Sequence, residues 1–215
     1  MQKRPVWIVG YRDFGFEVSE IAEDAGEDVC GYIRYESDEA RVDPRTAMFI
    51  ELDELHADMR DNYICAMTST VKRRQIAERI ANLTHENLSP KCIIHPSAVI
   101  SKTASLNRGS LIMPGAVIAA GAQLGQFALV NRGATIGHHT RLGKYSTVGP
   151  GVHVGGNCLI GEQVYLGIGS TILNRVRIGQ NCLVAAGAVV VQDVPSNCVV
   201  KGVPAKVTET DFSGH

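Results

Sequence analysis

No run of apolar residues in this 215-residue chain approaches the length of a membrane span, and no signal peptide opens it, so a cytoplasmic protein with no membrane partner is expected. The six cysteines, Cys30, Cys65, Cys92, Cys158, Cys182 and Cys198, include no CxxC pair and no metal-finger spacing. They read as reduced core thiols, and no metal is expected. An excess of charge of one sign is missing too: 21 Lys and Arg face 22 Asp and Glu. The balance hides an asymmetry, since residues 1–91 hold 12 basic against 18 acidic side chains and residues 92–215 hold 9 against 4. The basic residues of the second part are dispersed and not interleaved with aromatics, which argues against a nucleic-acid surface.

What is present is a repeat. From Ile94 to Val190 every sixth residue is Ile, Leu or Val, with no slip of phase. Four residues after each comes a second series, from Ala98 to Val194, of small or β-branched residues. A strand repeats every two residues and a helix every 3.6, whereas a strict six suits a short strand followed by a tight corner. Both series are therefore expected to point inward in a hexapeptide β-helix, whose coils bury a continuous core only by stacking on one another. Gly115, Gly121, Gly133, Gly143, Gly151, Gly161, Gly169, Gly179 and Gly187 supply the open backbone conformations expected at corners.

The stretch in front of the repeat reads differently. Apolar runs at about 6–9, 29–33 and 63–67 are expected strands. Val18, Ile21, Ala22 and Ala25 have helical spacing and stop at Gly26, and Ser69 or Thr70 can cap a second helix that carries Ile76, Ala77, Ile80 and Leu83. Alternating strands and helices predict a small, Rossmann-like parallel α/β sheet over residues 1–91, followed by an all-β domain with a C-terminal tail over 92–215. Ligands of such sheets bind at the carboxyl ends of the strands, where a helix N-terminus favours phosphate. Lys72, Arg73 and Arg74 stand in the first turn of the second helix, the unfavourable end of its dipole for cations. A bound diphosphate removes that conflict, as do solvated side chains on a helix held by its apolar face.

The phrases LIMPGAVI (111–118), NRGATIGHH (131–139), LGIGS (166–170), VAAGAVV (184–190) and GVPAK (202–206) carry a closer likeness. The chain resembles the hexapeptide-repeat acetyltransferases of the sialic acid O-acetyltransferase and nucleotide-amino-sugar N-acetyltransferase group. The resemblance implies a left-handed β-helix of three hexads per coil, a homotrimer with active sites between subunits, acetyl-CoA as acyl donor, and a nucleotide sugar held by the front domain. The phosphates of coenzyme A would also account for the basic second part.

Acetyl transfer from a thioester needs a base for the incoming amine or hydroxyl and donors for the oxyanion. His138 occupies the corner position at which the family holds its base, and histidine titrates near neutrality. The family follows that histidine with Asp or Glu; here His139 follows, which gives the protonated base less electrostatic support. One coil of eighteen residues further on lies Gly156, whose amide the resemblance implies as donor to the thioester carbonyl. Pantetheine is implied beside Ile168, Gly169, Ala185, Ala186 and Gly187, and Lys201 and Lys206 are within reach of coenzyme phosphates. Asn131 resembles a residue near the acceptor sugar.

For the nucleotide sugar, the turn after the first strand keeps Gly10 and Gly15 with Tyr11 and Arg12 between them, in place of a glycine-rich turn. Arg34 and Tyr35 replace the usual acidic pair after the second strand. Those departures imply altered base selectivity, with Ser69 and Arg73 completing the candidate set. Transfer to an amino group is the leading reading and sugar O-acetylation the second. A noncatalytic nucleotide-binding scaffold is a third. A zinc hydratase on the same fold needs three convergent histidines, and His153 is out of the eighteen-residue register with His138 and His139.

Overall fold

The computed structural model describes residues 5–10, 13–35 and 48–215. Tyr11 and Arg12 lie outside the described residues. In the front domain, the apolar run Val6–Val9 forms β1, wholly buried, and leads through Gly10 into α1, Asp13–Asp24. There follow β2 (Val29–Arg34), β3 (Phe49–Glu51), β4 (Asn62–Cys65), α2 (Thr70–Leu83) and β5 (Ser89–Pro90). All pairings are parallel, in the order β3-β2-β1-β4-β5. The order reverses between β1 and β4, the point at which an open α/β sheet presents a crevice for a ligand. The short strands β3 and β5 carry no alternating pattern long enough to read from sequence.

Beyond Ile93 the chain winds into a left-handed parallel β-helix of triangular section. Each two-residue strand pairs with the strand eighteen residues on, as in Thr135 with His153 and His153 with Thr171. The first face runs from Ile93–Ile94 through Leu129–Val130 to Leu183–Val184, then takes in Val199–Lys201 and the antiparallel Lys206–Glu209. The second runs from Val99–Ile100 through Thr135–Ile136 to Val189–Val190, and the third from Ser105–Leu106 through Arg141–Leu142 to Arg177–Ile178.

Both six-residue series fill the prism from Ile112 onward. At the open end of the stack Ile94, Ile100 and Leu106 are only partly covered, because no coil lies above them. Buried hydroxyls of the second series bond to backbone: Thr140 Oγ1 donates to Gly155 O at 2.7 Å and Ser146 Oγ to Gly161 O at 2.8 Å. The corner glycines are of two kinds. Gly115, Gly133, Gly151, Gly169 and Gly187, all between the first and second faces, have left-handed φ of 62° to 68°. Gly143, Gly161 and Gly179 do not; there a β-carbon would strike the backbone or side chain of the next coil.

The front domain sits on the first face, burying Ile93, Leu111, Met113 and Leu129 together with β1 and α1 residues. Those residues point away from the prism, so the hexad pattern alone leaves them on the surface. On one side α1 reaches the corner between first and second faces, where Arg132 pairs with Glu17 at 3.1 Å. On the other side α2 reaches the corner between third and first faces.

Candidate active site

His138 and His139 are the two central residues of the corner at 137–140 between the second and third faces, and both are exposed. His139 adopts a left-handed φ of 57°, which turns its ring back over Gly121 of the preceding coil. His is among the residues that tolerate this conformation. The two rings meet edge to face, with Nδ1 to Nδ1 at 3.2 Å. One nitrogen must donate and the other accept. When His138 donates from Nδ1, its Nε2 carries the lone pair a base requires. Among the described residues neither ring has a carboxylate partner.

His138 Nε2 lies against the Cα of Gly156, one coil on, where a β-carbon would come within 2.5 Å of it. Only glycine admits the imidazole. The Gly156 amide, expected to serve the thioester carbonyl, is already committed: it donates to Asn174 Oδ1, from the coil beyond, at 2.7 Å.

The residues implied for pantetheine lie on a different corner. Ile168, Gly169, Ala185, Ala186 and Gly187 stack in successive coils between the first and second faces, with Ile168 59% exposed. The Gly202–Ala205 turn docks beneath them, through Ala205 N to Val189 O at 2.8 Å, and leaves Lys201 and Lys206 exposed at the end of that corner. Asn131 belongs to the same corner two coils above Ile168. It is 4% exposed, and its Oδ1 accepts the amide of Arg132 at 2.8 Å. The second face separates this group from His138, so one chain does not bring them together.

In the front domain, Gly10 has φ 103° and lies at the switch point, close to Ala66 O and to the Tyr35 ring. Gly15 allows α1 to close on this turn, since a β-carbon there would overlap the Gly10 carbonyl. Arg34 forms an ion pair with Glu51 and lies over the Phe49 ring.

Two expectations need correction. Arg73 is not a phosphate ligand at the surface but is 2% exposed, with its guanidinium bonded to Met67, Thr68, Phe127, Tyr145 and Ser146 carbonyls and to Thr147 Oγ1. Arg74 also turns onto the β-helix and donates to Gln163 Oε1 at 2.6 Å. Arg73 and Arg74 dock the domain, and carbonyl oxygens around Arg73 take the place expected for a diphosphate. Ser69 does cap α2, accepting from Lys72 N. Its hydroxyl, however, donates to His215 O at 2.8 Å, as does Thr70 Oγ1. With Val71 N also bonded to His215 O, the chain's own tail covers this helix N-terminus.

Comparison with known proteins accords with this architecture. Family models described as "Bacterial transferase hexapeptide (six repeats)" and "Hexapeptide repeat of succinyl-transferase" match residues 157–192 and 133–166. A solved structure of perosamine N-acetyltransferase from Caulobacter crescentus, in complex with CoA and GDP-perosamine, is 29% identical. The match covers 95% of this chain and 97% of that one with a TM-score of 0.87. The acetyltransferase domain of PglB from Neisseria gonorrhoeae, in complex with acetyl coenzyme A, is also 29% identical, over 96% and 100%, with a TM-score of 0.85. The chain is a hexapeptide-repeat acetyltransferase. WeeI from Acinetobacter baumannii, 21% identical over 94% and 99% with a TM-score of 0.80, shares the fold. A search of curated proteins gave no match.

In this acetyltransferase no helix among the described residues is long and apolar enough to cross a membrane. Asn174 was not expected at the site. The signal for it was available: it stands eighteen residues after Gly156 and thirty-six after His138, in the same corner.

Proposed function

We propose that this acetyltransferase transfers the acetyl group of acetyl-CoA to an amino group of a nucleotide-linked sugar, as a cytoplasmic homotrimer whose active sites lie between copies. The observation that carries the reading is the division of the candidate residues between two corners that flank one face. That second face shows Val99, Val117, Thr135, His153, Thr171 and Val189 outward, with Val99 62% exposed and no Lys, Arg, Asp or Glu. The third face shows Gln123, Arg141 and Arg177 instead. An uncharged, valine-bearing face suits contact with further copies. Three copies joined about it set the His138 corner of one beside the Ile168–Gly187 corner of the next.

The front domain favours the same assembly. Its switch point and α1 lie on the side of the Asn131 corner, so a nucleotide held at Gly10 and Tyr35 extends its sugar toward His138 of the adjoining copy. The acceptor class follows from the similarity to an N-acetyltransferase with GDP-perosamine bound. His138 accepts the proton of the attacking amine at Nε2, while His139 receives the hydrogen bond from its Nδ1. Coenzyme A lies along the glycine-lined corner, its phosphates near Lys201 and Lys206.

Mixed assembly tests this. His138→Ala and Ala186→Trp each disable one of the two corners and are inactive alone. Coexpressed, they share interfaces at random, and about a quarter of these join two intact corners. Free coenzyme A release, assayed with guanosine-, uridine- and thymidine-linked amino sugars and free sialic acid, should recover to about that fraction with a nucleotide amino sugar. Two inactive parents whose mixture stays inactive, in trimers shown to contain both, would overturn the shared site. Turnover by wild type with free sialic acid alone would replace N-acetylation by O-acetylation.

A further inference from the structure

The Gly155–Gly156 peptide is held between side chains from the coils on either side. His138 Nε2 lies against Gly156 Cα, and Asn174 lies across Gly155, where a β-carbon would come within 2.5 Å of Asn174 Oδ1. The Gly156 amide donates to Asn174 Oδ1 at 2.7 Å. An amide donor admits only an oxygen opposite it, so this contact fixes which end of the carboxamide is which. Nδ2, with two hydrogens, therefore faces away from Gly156. Asn174 is exposed, and among the described residues its Nδ2 has no partner.

We propose that Asn174 is a catalytic residue, whose Nδ2 donates to the thioester carbonyl oxygen as it becomes an oxyanion. The proposal rests on reading the site as that of an acetyltransferase. Gly156 then acts through Asn174: its amide holds Oδ1 and polarises the carboxamide, which strengthens Nδ2 as a donor. An acetyl oxygen approaching the Gly156 amide directly meets Oδ1 first, acceptor against acceptor. It enters only if the carboxamide turns, which again presents Nδ2.

The chemistry balances with the groups in place. The acceptor amine attacks the carbonyl carbon and forms the C–N bond, while the carbonyl π pair moves to the oxygen held by Nδ2. The amine proton passes to His138 Nε2. Collapse of the adduct breaks the C–S bond, and the leaving thiolate takes the proton from His138. A donor set in place before the charge develops stabilises that charge without reorganisation.

Two variants separate this from the alternative in which Asn174 only covers the Gly156 amide. Asn174→Asp keeps an acceptor for Gly156 and removes the donor. Asn174→Ala removes both and frees Gly156. The proposal expects kcat to fall roughly 100- to 1,000-fold in each, the loss seen on removing an oxyanion donor, with KM for acetyl-CoA little changed and the melting temperature retained. Undiminished kcat in Asn174→Ala overturns it.

A second readout does not depend on the acceptor. The infrared carbonyl band of isotope-labelled acetyl-CoA bound to wild type should move to lower frequency, and should return toward its free value in both variants. A shift lost in the variants, in an enzyme that turns over no nucleotide sugar, upholds Asn174 and tells against the acceptor reading. No shift in wild type, or no binding of acetyl-CoA, overturns the proposal.

Discussion

Arg73 Nη2 donates to the main-chain oxygen of Tyr145 at 2.6 Å, a bond that crosses from the α/β domain to the β-helix. Six acceptors surround that guanidinium, and the Phe127 and Tyr145 rings stack beside it with centroids 5.2 Å apart. Burial pushes its pKa down to about 10, so it remains charged at neutral pH. The charge is held by carbonyl dipoles; those of Ser146 and Thr68 are shared with Leu129 N and Thr147 Oγ1, whereas those of Met67, Phe127 and Tyr145 receive, among the described residues, the guanidinium alone.

Replacing Arg73 by Met should therefore destabilise the protein by at least about 3 kcal/mol, because several buried carbonyls lose their only donor. Arg73→Lys keeps the charge with one nitrogen in place of three and should fall between. Urea unfolding measures both. A loss under about 1 kcal/mol for Arg73→Met would show that the junction does not depend on this side chain.

The same residue marks where the sequence stopped being readable. The β-helix was legible throughout because its period is local: each hexad repeats the steric requirement of the one before, and every residue of the apolar core inside the prism from Ile112 to Val194 obeys it. Docking between the domains has no period. Leu111, Met113 and Leu129 are outward-facing in their hexads and buried only because the front domain covers them. Arg73 and Ser69 had a sound local reading as anion ligands, since a helix N-terminus does favour anions. Partners 54 to 146 residues away in sequence, Phe127 and Tyr145 for one and His215 for the other, satisfy them instead. At the candidate site, His138 and Gly156 were visible by family phrase and by the eighteen-residue stack. Asn174 obeys the same stack but belongs to no phrase.

Thiol ionisation gives a prediction with a definite sign. Desolvation, aided by the charge of Asp61, raises Cys30 from 9.0 to about 12; desolvation raises Cys65 to about 12 and Cys92 to about 11. In the unfolded chain these thiols ionise near 9.0. The folded state keeps protons that the unfolded state releases, so stability is complete below pH 9 and declines as pH rises through 11 to 12. Denaturant midpoints taken between pH 8 and 11 should fall, and these three thiols should resist alkylation at pH 8 until the chain unfolds. Rapid alkylation of Cys65 in the native protein would contradict its burial.

The pairing of His138 with His139 leads to a prediction in which a substitution improves the enzyme. A neutral imidazole at 139 accepts the Nδ1 proton of His138 and so fixes the tautomer of the base, but it lends the resulting imidazolium no negative charge. His138→Ala removes the base and should lower kcat roughly 100- to 10,000-fold. His139→Ala removes one orienting hydrogen bond and should cost about fivefold, the equivalent of about 1 kcal/mol. His139→Asp keeps an acceptor and supplies a charge. Aspartate also tolerates the left-handed φ of 57° that this corner imposes, where a β-branched residue would not. Its kcat should equal or exceed that of wild type in the coenzyme A release assay. A loss in His139→Asp as large as that in His138→Ala would mean that the imidazole at 139 is required in its own right, and that the pair, not His138 alone, is the base.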